Sequence, residues 1–302
     1  MATAHPSLTS APRWWADPLS LIELFLIGNV GFLAVDIYVA HAINQFANPY
    51  EWIPIYFSGA ATFVLLVALA LGGPRPAVPG DGRPSSGLIL ARWLGLLVAA
   101  ACIVVGVAGV VFHLRSHFFD TQTLQNLVYT APFAAPLAYT GLGLVLILNR
   151  TVSDRLVDWS RSVILLAMGG FVGNFVLSLA DHAQNDFFAT SEWIPVVSAA
   201  LAVGFLFIVA LRPYDARLRH LTWAVMGLQM VVGLIGFGLH VMANLSRPGT
   251  TLWEQFVYGA PAMAPMLFAD MAILALLGLW ALEAAVARDP APFDPRAVPA
   301  AV

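Results

Sequence analysis

Two stretches decide the fold of this chain: His41-Ala-Ile-Asn-Gln-Phe-Ala-Asn-Pro-Tyr-Glu51-Trp-Ile-Pro54 and His182-Ala-Gln-Asn-Asp-Phe-Phe-Ala-Thr-Ser-Glu192-Trp-Ile-Pro195. The spacing from His to Glu is the same in both, and Glu-Trp-Ile-Pro closes each. Working outward, Val105-Gly106-x-x-Gly109-x-x-x-His113 matches Val232-Gly233-x-x-Gly236-x-x-x-His240. Beyond these, Tyr129-x-Ala131-Pro132-x-x-Ala135-Pro136 reads partly against Tyr258-x-Ala260-Pro261-x-Met-Ala264-Pro265, with the prolines again four apart. Chance is a poor explanation for so many matches in register.

The chain has 302 residues, of which 60% are hydrophobic and 10% charged, with mean hydropathy +0.81. Soluble domains are about 45–50% apolar and about 25% charged. A soluble enzyme, a disordered chain and a nucleic-acid binder are excluded. All 14 basic residues are arginine and the net charge is −3, so there is no polybasic tail. The single Cys102 lies in an apolar run, which leaves no disulfide framework and no cysteine metal site.

Apolar runs of about 20 residues mark bilayer spans. Eight are expected, at 19–44, 52–73, 90–114, 126–149, 161–183, 192–212, 221–243 and 255–284. Breakers at 72–82, 48–49 and 247–249 separate some of them. The fold class is therefore an all-α integral membrane protein, its eight transmembrane helices a tandem parallel repeat of two four-helix bundles. The first bundle is 19–156 and the second 157–287, with cytoplasmic tails at 1–18 and 288–302. Four spans per unit keep both copies in one orientation, about an axis along the membrane normal. The start lacks the basic region of a cleavable signal peptide, and Trp14 and Trp15 read as an interfacial anchor. Only Arg115 and Arg247 fall on one side of the spans; the other arginines fall on the opposite side, which puts both termini in the cytoplasm. Abundant alanine and all-arginine usage suggest a bacterial inner membrane.

Alternating span direction gathers the repeated polar groups near the outer face. His41 and His113 end diagonal helices, Glu51 begins the helix between them, and Tyr129 lies in the first turns of the fourth. His182, His240, Glu192 and Tyr258 repeat the set. Two imidazoles and a carboxylate suit a transition metal, iron or copper foremost, and two histidines also suit a haem. Gly109 and Gly236, with Gly106 and Gly233, lie on the histidine face. They offer a bare slot for a porphyrin or a surface for close helix packing, and for the glycines alone packing is favoured. Glu51 and Glu192 read as ligands or proton relays, against the plainer role of a first-turn carboxylate facing a helix dipole. Tyr129 and Tyr258 are expected to donate a hydrogen bond or a proton.

Each proline pair strips helical donors from the carbonyls four residues earlier, which need another donor or a wet cavity. Asp36, Asn174, Asp181 and Asp270 also lie at depth. Asp36 and Asp270 have no counterpart in the other copy, so the halves are not equivalent. His5, His117 and His220 read as solvated.

No phosphate loop, Cys-x-x-Cys, hydrolase elbow or His-x-x-x-His pair occurs. The plan is similar to that of haem A synthases, also eight-span tandem repeats with paired histidines and an outer-side glutamate. Their histidines stand on even-numbered spans with a Glu-x-x-His-Arg motif and loop cysteines; here they stand on odd-numbered spans without that motif. The likeness is one of plan, and the chain is not assigned to that family. The reading is a lipid-embedded oxidoreductase or cofactor-handling protein binding haem or a redox metal, with a periplasmic or lipid-soluble redox partner. The alternative is an ion or small-solute transporter using the same outer cavity with Asp36 and Asp270. A third reading, an assembly subunit with packing histidines, ranks below both.

Overall fold

The computed structural model describes residues 16–73, 85–151, 155–248 and 251–288. Trp14, Trp15, His5, most of the 72–82 breaker stretch and the C-terminal tail lie outside the described residues. Those described are all-helical, with no strand among them. The helices are α1 (Pro18–Ala42), α2 (Ile53–Ala70), α3 (Ser86–Leu114), α4 (Leu124–Tyr129), α5 (Leu137–Arg150), α6 (Leu156–Ala183), α7 (Trp193–Leu211), α8 (Ala216–Leu245), α9 (Leu252–Val257) and α10 (Met266–Arg288). Among the described residues seven helices are long and apolar enough to cross a membrane; α5, with 14 residues, is shorter. The chain is thus a polytopic, membrane-type helical protein.

Two of the expected spans are corrected. The run 126–149 is not one helix but α4 and α5, and 255–284 is α9 and α10. The prolines cause both breaks. Pro132 and Pro136, and Pro261 and Pro265, lack the donors a continuous helix needs, and their rings clash with the preceding turn. The linking residues close short turns instead, such as Ala135 N to Pro132 O (3.0 Å) and Ala264 N to Pro261 O (3.2 Å). Tyr129 consequently ends α4 rather than starting a long span. Helices α3 and α8 also begin earlier than hydropathy suggests, because Ser85 and Asp215 cap them by accepting from Leu88 N and Leu218 N.

Packing divides the helices into two groups. Helices α1 and α3 each pack on α2 and α5, which leaves α1 and α3 diagonal. Likewise α6 and α8 each pack on α7 and α10. The groups meet where α5 lies on α6 and α1 on α10, and where α4 touches α6 and α9 touches α1. Leu26, Leu65, Leu146, Phe171, Leu206 and Leu282 are fully buried between helices. Large apolar side chains such as Phe63, Trp93, Val104 and Val197 are exposed on the outside. That is the distribution of a protein whose solvent is lipid.

One buried ion pair was not foreseen. Arg150, counted with the arginines of the cytoplasmic side, is bonded to Glu23, and both side chains are shielded. Asn149 Nδ2 donates to Glu23 Oε2 at 3.0 Å, and the lack of a side chain at Gly95 makes room for the guanidinium. In the register that aligns His41 with His182 and Tyr129 with Tyr258, Glu23 and Arg150 match Ile164 and Leu279, both fully buried.

Candidate functional site

The repeated polar residues gather at one end of each group, here called the histidine end. After α1 the chain turns through Gln45 and Phe46, both at positive φ (58° and 53°), and after α6 through Asp186 and Phe187 (56° and 49°). Left-handed backbone is costly for residues with side chains. In both turns the phenylalanine N–H donates to the histidine carbonyl, from Phe46 to His41 and from Phe187 to His182. Its ring stacks on the next tryptophan, Phe46 on Trp52 at 4.2 Å and Phe187 on Trp193 at 4.1 Å. The His-to-Glu spacing in the sequence is the length of this turn. It places Glu51 and Glu192 in single 3-10 turns that lead into α2 and α7.

His113 and His240 are held by the broken helices. His113 Nδ1 lies 2.9 Å from Pro132 O, and His240 Nδ1 lies 2.9 Å from Pro261 O. These carbonyls stand four residues before Pro136 and Pro265, so they are among those the prolines deprive of helical donors. A carbonyl only accepts, so Nδ1 carries the proton in each ring. That fixes the tautomer and leaves Nε2 with its lone pair. The carbonyl of Val128, four before Pro132, is satisfied by Gln184 Nε2 at 2.8 Å, a donor from α6.

In the first group the His41 and His113 rings lie 6.1 Å apart, centre to centre, and perpendicular. Glu51 is the charged neighbour of both. Asn44 Nδ2 donates to Glu51 Oε1 at 3.1 Å, while Glu51 Oε2 is buried without a hydrogen-bond partner. His41 Nδ1 is also buried and makes no hydrogen bond of ordinary geometry, although Ile37, one turn back, supplies a nearby carbonyl.

The second group differs. Asn185 Nδ2 turns back to Asp181 O at 3.4 Å, which frees Glu192. His182 Nδ1 and Glu192 Oε2 then stand 3.4 Å apart, with His240 the next charge neighbour of His182. Glu192 is 9% exposed, and its Oε2 has no aligned hydrogen bond.

Each expected set of His, Glu and His is thus brought together. Among the described residues, however, no three His, Cys, Asp or Glu side chains are gathered closely enough to hold a metal ion. Neither tyrosine hydroxyl bonds to a site: Tyr129 and Tyr258 are about half exposed, at 53% and 46%. The glycine slot is filled. A Cβ on Gly109 would meet Pro136 Cβ at 2.7 Å, and one on Gly236 would meet Pro265 Cβ at 2.8 Å. The turns that follow α4 and α9 lie where a bare face was expected, and the glycines serve close packing.

Sequence reading passed over Tyr139, whose hydroxyl bonds to Ser58 Oγ at 2.6 Å and donates to Pro54 O at 3.0 Å beneath the first site. Its match in the second group is Phe268, and that polar-for-apolar exchange was the available signal. His117 and His220 are exposed, as expected. Compared with protein-family models, with curated proteins and with solved structures, the chain matches none.

Proposed function

We propose that the chain is an eight-span inner-membrane protein built as a tandem parallel repeat, with both termini cytoplasmic. In this reading α4 with α5, and α9 with α10, are broken fourth and eighth spans. The contacts between groups support the repeat because they come in exchanged pairs: α5 on α6 with α10 on α1, and α4 on α6 with α9 on α1. At the outer end of each bundle the two histidines hold a redox-active metal, copper or iron, with Glu51 and Glu192 as adjacent proton carriers. The electron partner is periplasmic or lipid-soluble.

One observation carries the metal reading. His113 and His240 both donate Nδ1–H to a carbonyl, the arrangement that orients metal-ligating histidines and leaves Nε2 free to bind. The spacing in the first site fits. An imidazole nitrogen about 2 Å from a metal puts its ring centre about 3 Å away, so two rings across one metal lie about 6 Å apart. The His41–His113 separation is 6.1 Å. A buried nitrogen on His41 without a well-aligned hydrogen bond and a buried oxygen on Glu51 without one are groups that an ion or proton would satisfy. Because Pro136 and Pro265 cover the glycines, a bare ion fits these residues better than a porphyrin.

Elemental analysis and an absorption spectrum of the detergent-purified protein, oxidised and then reduced, test this. The expected result is copper or iron that is lost in His41→Ala and in His113→Ala, without a Soret band. A Soret band that shifts on reduction would replace the bare ion by haem. Neither haem nor stoichiometric metal would overturn the reading. Transport remains the second reading, favoured by the Asn29–Asp270 bond where the two groups meet.

A further inference from the structure

The contact between Asn29 and Asp270 belongs to neither histidine site. Asn29 Nδ2 donates to Asp270 Oδ1 at 2.9 Å and also lies 3.1 Å from the Phe25 carbonyl of its own helix. It joins α1 to α10 across the junction of the two groups. At 1.5 Å per residue, Asn29 lies about 20 Å along α1 from its end at Ala42. A hydrocarbon core is about 30 Å thick, so the contact is deep in the membrane.

Among the described residues no arginine or histidine forms an ion pair with Asp270. Helix α10 packs on α1, α6 and α8. On α1, Asp36 lies two turns toward the histidine end, and Glu23, about as far the other way, is paired with Arg150; α6 carries Asp181 toward the histidine end and Asp158 with Arg161 at the opposite end. Helix α8 carries Arg217, Arg219 and His220 at the opposite end and His240 at the histidine end. The other acid of α10, Glu283, is at the opposite end and accepts from Trp223 Nε1 at 3.0 Å. Burial and the Asn29 amide are the electrostatic surroundings of Asp270.

The pair is not required to hold such a junction together. The matching positions are Gly141 for Asp270 and Gly170 for Asn29, so the α5–α6 contact does without it. A carboxylate at this depth with no counter-charge is costly and becomes neutral by taking a proton. We propose that the Asn29–Asp270 contact is a proton-binding site, in which Asp270 holds a proton while the two groups are packed together. Its depth, and its place where two packed groups meet, suit a group that passes a proton between the two sides. The proposal does not depend on a metal at the histidines.

Infrared spectra of wild type and Asp270→Asn in liposomes test it. The variant keeps side-chain size and an oxygen for Asn29 to donate to. The expected difference spectrum at neutral pH contains a protonated-carboxyl C=O band. That band should fall about tenfold for each pH unit above its midpoint. A carboxylate band in its place would overturn the proposal. So would loss of the protonated band on adding sodium at fixed pH, which would make this a metal-cation site. If Asp270→Asn does not fold, Asn29→Val serves instead: loss of the amide donor should move the carboxyl band to higher frequency, and an unmoved spectrum counts against the site.

Discussion

Replacing His113 by phenylalanine keeps a ring at the end of α3 but removes the donor to Pro132 O, 2.9 Å away in the native protein. That carbonyl has lost its i+4 helical partner to Pro136 and keeps two donors, the His113 imidazole and the Ala135 N–H of the turn at 3.0 Å. With the Ala135 N–H still in place, the variant loses one hydrogen bond, about 0.5–1.5 kcal/mol. If this bond is the reason, Pro136→Ala should suppress the cost, because alanine restores an N–H four residues after Pro132. The double-mutant cycle should then show a coupling of about 0.5–1.5 kcal/mol, with His113→Phe costing measurably less in the Pro136→Ala background than in wild type. Reversible unfolding in mixed micelles gives all four stabilities. His240→Phe with Pro265→Ala repeats the cycle in the second group, where the bond is also 2.9 Å. Strictly additive losses in both groups would refute the account of why these histidines lie beside broken helices.

Gly109→Ala and Gly236→Ala should each destabilise by about 1–3 kcal/mol through overpacking against Pro136 and Pro265. Gly28→Ala and Gly59→Ala, which meet nothing within 4 Å, should lose nothing in the same unfolding assay. Glu23→Ile or Arg150→Leu alone leaves a buried charge and should cost about 3–5 kcal/mol, whereas the double variant should regain most of it or exceed wild type. Full cost in the double variant would show that Ile164 and Leu279 are not the structural equivalents of the pair. His182→Ala should lower bound metal by the share of the second site, and an unchanged content on elemental analysis would confine the metal to the first.

What was legible in the sequence was whatever repeats. The His-to-Glu spacing, the paired glycines and the paired prolines each reappear as a matched contact in both groups. The expectation that carbonyls four residues before a proline need other donors is met at Val128, which takes one from Gln184, and at Pro132, which takes the Ala135 N–H and His113. Hydropathy could not show the break itself. A window over 126–149 stays apolar whether the chain is helical or turned, and only the absent donors distinguish the two. The filled glycine face was illegible for a related reason. A small residue leaves space, and what enters that space is decided by a segment elsewhere in the chain, here Pro136 or Pro265. Glu23 and Arg150 were hidden because each looks like an ordinary span-end charge until the helices are packed.

The two groups keep the same backbone devices but differ in what they bury. Tyr139 faces Phe268 in the matched register, Glu23 faces Ile164, Arg150 faces Leu279 and Thr62 faces Val203. In that register the second group carries apolar residues at all four positions. Buried ion pairs stabilise little compared with apolar residues of similar volume. The exchange at the turns has the same sense. Asn44 holds Glu51 away from a direct pair with His41, whereas Asn185 is turned aside and Glu192 stands 3.4 Å from His182. The same His-to-Glu spacing thus leaves the His41 and His113 rings facing each other in the first group and brings carboxylate and imidazole side by side in the second.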